Sequence, residues 1–330
     1  MTPVGDPGGA PLGIERVPIA LVGCALVLVG VLLAAPVSIA LARARWTSRA
    51  PGWCLLLWQA VCLAAGCSVV AGLVLLAVEP SGHTLIEAIA GWCASLLSGT
   101  PPVPLWRVVC GLVGLIVTAV LLTSLARTAW RTITRRRVHR RMLDLLSRPV
   151  PPQLPLGVGC PVRVMDHRSA VAYTLPGLHS RLVVSTGLLE LLTPAELAAV
   201  VEHERAHLRA RHDILIMPFQ SWVAAFGRVR GVREAGRSVG ELTEMLADDV
   251  AAGRSSPDAL VSALTRVALE RRSVPDQQPV WTVEGSGTCI TDRVRRLAQP
   301  RPLSLPARAL IVAAAAALLA IPATVLALTW

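Results

Sequence analysis

The chain has 330 residues, of which 53% are apolar and 16% charged, and a mean hydropathy of +0.58, a balance that argues against two soluble domains and for contact with lipid. Its net charge of +11 comes entirely from arginine, because the sequence contains no lysine. Eight cysteines without a CxxC pair do not indicate a disulfide framework, disfavour a metal pair made of Cys160 and Cys289, and leave cysteine as a small apolar residue suited to helix packing.

Four apolar blocks, near 17–42, 53–78, 105–126 and 307–329, each approach the ~20 residues that cross a bilayer as a helix. The first exceeds the roughly 7 to 15 apolar residues of a secretory signal, and Asp6 and Glu15 precede it against a single Arg16. It therefore reads as an uncleaved span. Arg43, Arg45 and Arg49 follow the first block, whereas the loop after the second carries Glu79 and Glu87 and no arginine before Arg107. The third block runs into Arg127, Arg131, Arg135, Arg136, Arg137, Arg140 and Arg141. The positive-inside rule then puts residues 79–104 outside and the long segment before the fourth span in the cytoplasm. This arginine run abuts a span and has only Trp130 interleaved, so it reads as a stop-transfer signal, and no direct nucleic-acid binding is expected.

The chain thus divides into an extracytoplasmic tail (1–16), a three-span anchor (17–126), an arginine-rich connector (127–141), a cytoplasmic domain (142–306) and a fourth span (307–330), with both termini outside the cytoplasm. About 165 residues suffice for the cytoplasmic domain to have a core of its own. Its opening prolines, 149–155, favour an extended linker. Valine-rich runs at 162–165, 170–173 and 181–185 read as strands, the last an edge strand along which an extended peptide would bind. Thr193-Pro194-Ala195-Glu196 is a capping box with proline at the first helical position, so a helix starts there and continues to about residue 210. Residues 214–226 and, after a break at Gly236 to Gly240, 239–252 read as two more helices.

The first of these helices carries His203-Glu204-Arg205-Ala206-His207. Histidines four apart share a helical face, and two neutral imidazoles are good zinc ligands. A catalytic zinc needs a third protein ligand and an open position for water, and Glu204 stands beside that position as general base and later proton donor to the leaving amine. Glu244 on the downstream helix is the expected third ligand, favoured over Glu241 because Asp248 lies one turn beyond to accept a ring proton from a ligating imidazole. One Zn2+ per chain is therefore expected. Glu202 and His212 flank the motif but point elsewhere on the helical wheel, and Asp249 is either an outer carboxylate or a surface group. Tyr173, the single tyrosine, is either an oxyanion donor or a core residue. Arg293 either binds a carboxylate of the site or the substrate, or lies on a solvated helix face.

The string Ser185-Thr186-Gly187-Leu188-Leu189, the capped His203-Glu204-x-x-His207 helix followed by Arg211 and Asp213, Glu244-x-x-x-Asp248-Asp249, and Arg293-Val294-x-Arg296-Leu297 together resemble the BlaR/MecR-type antirepressor metallopeptidases. More distantly they look like the HtpX-type membrane zinc peptidases. The resemblance implies an α-helical membrane protein of four transmembrane helices with an inserted α+β, gluzincin-like zinc peptidase domain. It also implies a partner, a cytoplasmic winged-helix repressor of the BlaI/MecI type whose cleavage derepresses genes. In that family a penicillin-binding sensor domain follows the fourth span. This sequence ends at Trp330, so β-lactam acylation by the chain is not expected. Rival readings are an HtpX-type quality-control protease and a non-catalytic membrane signal transducer, against which the intact Glu204 argues. Small residues at 313–317 offer a face for a homodimer.

Overall fold

The computed structural model describes residues 19–78, 84–100, 102–150, 161–177, 180–273 and 290–329. The N-terminal tail, Glu79, the linker from residue 151 onward, Cys160 and Cys289 lie outside them.

The chain starts with α1 (Ile19–Leu32), a π-helical turn (Leu33–Val37) and α2 (Ser38–Arg43), which together form one apolar rod. Pro36 explains the π turn: it has no N–H to donate, so the ladder widens, and Ser38 Oγ donates instead to the Leu33 carbonyl at 2.6 Å. Helix α3 (Pro51–Ala77) begins with proline at its first position, where no N–H is missed. It lies so close to α1 that a Cβ on Gly72 would sit 2.6 Å from the Gly23 carbonyl oxygen. Only glycine permits that approach. Helix α4 (Leu85–Ser98) is capped by Thr84 and closed by Gly99 at φ 69°, and α5 (Leu105–Leu146) follows. Four helices, α1 with α2, α3, α5 and α12 (Leu305–Thr329), are long and apolar enough to cross a membrane.

The third long apolar helix continues unbroken through the stretch expected as a connector at 127–141, 42 helical residues in all. Arginine is a good helix former, so nothing in the run stops the helix.

A four-stranded sheet follows, ordered β1 (Ser147–Pro149), β2 (Val162–Met165), β4 (Arg181–Ser185), β3 (Ala172–Leu175). Strands β2 and β4 are parallel, while β1 and β3 pair antiparallel at the two edges. The run 181–185 is therefore not an edge strand. Leu182, Val183, Val184 and Ser185 are all buried, the pattern of a central strand covered on both faces, and the edge beside the motif helix is β3. The strand expected at 170–173 sits two residues later, and β1 ends on Pro149, the first residue of the expected linker.

The remaining helices are α6 (Thr186–Leu191), α7 (Pro194–Arg209), α8 (His212–Phe226), α9 (Arg230–Arg254), α10 (Pro257–Ser273) and α11 (Ile290–Ala298). Helix α9 is continuous across Gly236 and Gly240, contrary to the expected break. One face of the sheet packs Leu182 and Val184 under Leu188, Leu197, Val201 and Ala263 of α6, α7 and α10. The opposite face packs Val183 and Leu175 against Leu143 near the end of α5.

The other main core is shared. Trp58, Leu55, Val61 and Ala65 of α3 and Ile311 and Ala315 of α12 form one buried cluster with Phe219 of α8 and Val239, Leu242 and Met245 of α9. Trp58 meets Phe219 edge-on at 6.5 Å, and Gln59 Nε2 and Ser124 Oγ donate to the carbonyls of Leu215 and Ser221. The expectation that 142–306 has a core of its own thus applies to the sheet and α7, not to α8 and α9. Each large apolar side chain buried there contributes about 2 kcal/mol, so α8 and α9 are anchored on the long helices rather than on the sheet.

Candidate metal centre

Helix α7 is fixed at its start by a reciprocal cap: Thr193 Oγ1 accepts from the Glu196 N–H and Glu196 Oε2 accepts from the Thr193 N–H at 2.8 Å. Leu197 and Val201 turn to the sheet. The helical period then delivers His203 and His207 to the opposite side, facing α9.

Their Nε2 atoms are 3.2 Å apart. Glu244 approaches from α9, one carboxylate oxygen 3.4 Å from His203 Nε2 and the other 3.6 Å from His207 Nε2. Donors held 2.0–2.1 Å from a zinc ion in a tetrahedral array stand about 3.3 Å from one another, close to the spacing of the two Nε2 atoms and of each Nε2 from its nearer Glu244 oxygen. Among the described residues these three form the group of metal-ligating side chains whose donor atoms lie within 4.8 Å of one another.

Behind the donors lies a second layer. Asp248 is fully buried one turn after Glu244, with Oδ1 3.0 Å from His203 Nδ1. Arg293, on α11 and 8% exposed, donates through Nε and Nη2 to both Asp248 oxygens at 2.7 and 2.6 Å, and its Nη1 is 3.3 Å from Glu244. Arg293 thus binds carboxylates of the site rather than lying on a solvated face. Glu241 points away and pairs with Arg237, and Asp249 pairs with Arg296 at the surface. Glu202 binds Arg205 and Arg209.

Glu204 lies partly buried against β3, hydrogen-bonded to Thr174. Burial pushes its carboxyl up to about 7, the nearby imidazole of His203 works in the opposite direction, and the Glu244 charge adds to the rise. Burial likewise opposes a charged His203, yet the hydrogen bonds to Asp248 and Glu244 hold its pKa at about 9. For His207 burial wins and lowers it to about 4, leaving a neutral ring whose lone pair is free for a metal. Burial resists ionisation of Glu244 too, but hydrogen bonding and charge from His203 hold its carboxyl far below the usual range.

Residues 132–266 match the family model of peptidase family M48. That family comprises zinc metallopeptidases, so the match supports a metallopeptidase and agrees with the His-His-Glu donor set. The matched stretch runs from within α5 through α7 and α9 into α10, and stops short of Arg293. No curated protein and no solved structure matches the chain significantly.

The structure favours the core reading of Tyr173 and overturns the expectation for His212. Tyr173 is on the other face of β3 from Thr174, its hydroxyl 2.8 Å from His139 Nε2 and its ring packed with Leu143. It faces α5 and not the donor atoms, since neighbouring strand residues alternate sides. His212, which the helical wheel turns away, is 2% exposed with Nδ1 2.9 Å from His207 Nδ1. The wheel fails because α7 ends first: Arg211 adopts the left-handed conformation, φ 49° and ψ 44°, and redirects the chain. Thr174 and His212 carried no motif signal, because strand register and a backbone reversal place them.

Proposed function

We propose that the chain is a membrane-embedded zinc endopeptidase in which His203, His207 and Glu244 hold the ion. The observation that carries this reading is the convergence of the three side chains: the two Nε2 atoms are 3.2 Å apart, and each lies 3.4 or 3.6 Å from one of the two Glu244 oxygens. Bound zinc supplies Lewis acidity, polarising the scissile carbonyl and acidifying water at the site. Glu204 takes the proton of the attacking water on its carboxylate and returns it to the leaving amine nitrogen, the task for which a carboxyl poised near neutrality suits it. Asp248 holds the His203 ring, and Arg293 keeps Asp248 ionised. Edge strand β3 offers an extended substrate main-chain pairing alongside α7.

The four apolar helices cross the membrane in this reading, with the arginines of α5 at the cytoplasmic side and the site in the cytoplasm. The substrate is a winged-helix repressor of the BlaI/MecI type, as the sequence resemblance suggests. One observation favours a second substrate class, membrane proteins cut close to the bilayer. Leu121 of α5 is level with Gly66 of α3, so Arg127 is level with about residue 60, and Leu246, two residues from Glu244, touches Gly52. With the lipid boundary taken at Arg127, eight residues at 1.5 Å each would put the site about 12 Å below it.

The test uses purified full-length protein, a repressor and a membrane-protein substrate, with fragments read by mass spectrometry. Glu204→Gln retains one zinc per chain and loses at least about a hundredfold in cleavage rate. Cleavage that survives this change or a chelator rejects the enzyme reading. Cleavage of the membrane protein alone rejects the repressor.

A further inference from the structure

We propose that His212 is a positioning residue for the metal centre: its Nδ1 accepts the hydrogen bond of His207 Nδ1–H and so holds His207 with its Nε2 lone pair toward His203 and Glu244. The inference rests on the zinc reading of the site.

Three observations converge on it. The two Nδ1 atoms are 2.9 Å apart with the rings nearly perpendicular, at 87°. A contact between two neutral imidazole nitrogens holds a single hydrogen. With the His207 Nε2 lone pair among the donor atoms, that hydrogen sits on His207 Nδ1, and His212 receives it. Secondly, His212 is 2% exposed and its Nε2 meets no hydrogen-bond partner. An apolar side chain would fill the same space without burying an unpaired nitrogen, so the imidazole is explained by its other end. Thirdly, the ring is brought there by backbone strain. Arg211 is the only non-glycine residue with positive φ among the described residues, and the turn it makes is tied down where Arg136 of α5 donates to Asp213 at 2.9 Å. Strained backbone beside a functional site is retained when the geometry it creates is used.

The two ligand histidines are then oriented by unlike partners. His203 faces an anion, Asp248, itself held by Arg293, whereas His207 faces a neutral ring. A metal-ligating histidine ordinarily gives its second nitrogen to a carboxylate, carbonyl or water, and loss of such a partner costs 10- to 100-fold in metal affinity.

The experiment uses the full-length protein in detergent, stripped of metal, with zinc affinity measured by competition with a chromogenic chelator and the ligand field read from the visible spectrum of the cobalt form. Asparagine places its Oδ1 about where Nδ1 stands, while leucine fills the space without an acceptor. H212L loses about 10- to 100-fold in zinc affinity with its metal-free melting temperature held, and H212N keeps affinity within about threefold. Equal affinity of H212L and the natural protein overturns the proposal, as does an H212N loss as large as that of H212L. Where H212L does not fold, H212N against H212Q decides, since a glutamine amide reaches only the Nε2 position: retention by Asn alone supports the proposal, and equal affinities overturn it. A natural protein that binds zinc no better than H203A rejects the metal centre itself, a result distinct from these.

Discussion

Asp248 shows how a single side chain decides the site. It is fully buried, accepts two charge-assisted bonds from Arg293 and faces His203. Burial opposes its ionisation, but the Arg293 hydrogen bonds keep its carboxyl below the usual range. Arg293→Leu strands that anion, and the expected loss is about 3 to 5 kcal/mol of stability, measured by denaturant titration of the metal-free protein. Arg293→Lys recovers only part of it, because a point charge does not reproduce the two-pronged contact. A loss below 1 kcal/mol in Arg293→Leu rules out the buried pair as a structural tie. At this scale much was legible: spacings of four within α7 and within α9 put His203 with His207 and Glu244 with Asp248 on common faces. Tyr173 and His212 were not legible, because their directions depend on strand register and on one left-handed residue.

Among the elements, α9 shows packing overriding local preference. Two glycines within five residues suggested a break, yet Val239, Leu242 and Met245 bury one continuous stripe against α3. Glycine costs roughly 1 kcal/mol relative to alanine inside a helix, less than the burial of any one of those side chains. The glycines of α9 are not equivalent. No atom lies within 4 Å of a Cβ built on Gly240, whereas a Cβ on Gly231 would sit 2.3 Å from the Ala34 carbonyl oxygen. Gly240→Ala is expected to raise the melting temperature, by up to about 1 kcal/mol of stability, and Gly231→Ala to lower it as α9 is pushed off the π turn. Opposite signs in thermal denaturation are the check, and two stabilising substitutions would contradict the close approach. Strand order was likewise hidden, since a central strand and a half-buried edge strand both show valine-rich runs until neighbours are known.

For the whole molecule, the helices that carry the candidate metal centre and the long apolar helices make one body. Hydropathy made the four long helices visible, but it gave no sign that α8, with its own apolar face, belongs to their bundle, because lipid and a protein core select the same residues. Expressed without the flanking helices, residues 142–306 would expose Phe219, Val239, Leu242 and Met245, all otherwise buried. The expected product is aggregated or lacks cooperative melting. A monomeric fragment with a sharp transition and bound zinc would show that the shared core is dispensable.

Helix α5 has a mechanical consequence. Its 42 residues make a shaft about 63 Å long, roughly twice the hydrocarbon thickness of a bilayer. One end begins at Leu105; toward the other, His139 grips Tyr173, Arg140 donates to the Pro176 carbonyl and Leu143 plugs the sheet. No proline interrupts the shaft between its two ends. The helix that leaves the apolar bundle thus ends against the back of β3, the strand whose Thr174 touches Glu204.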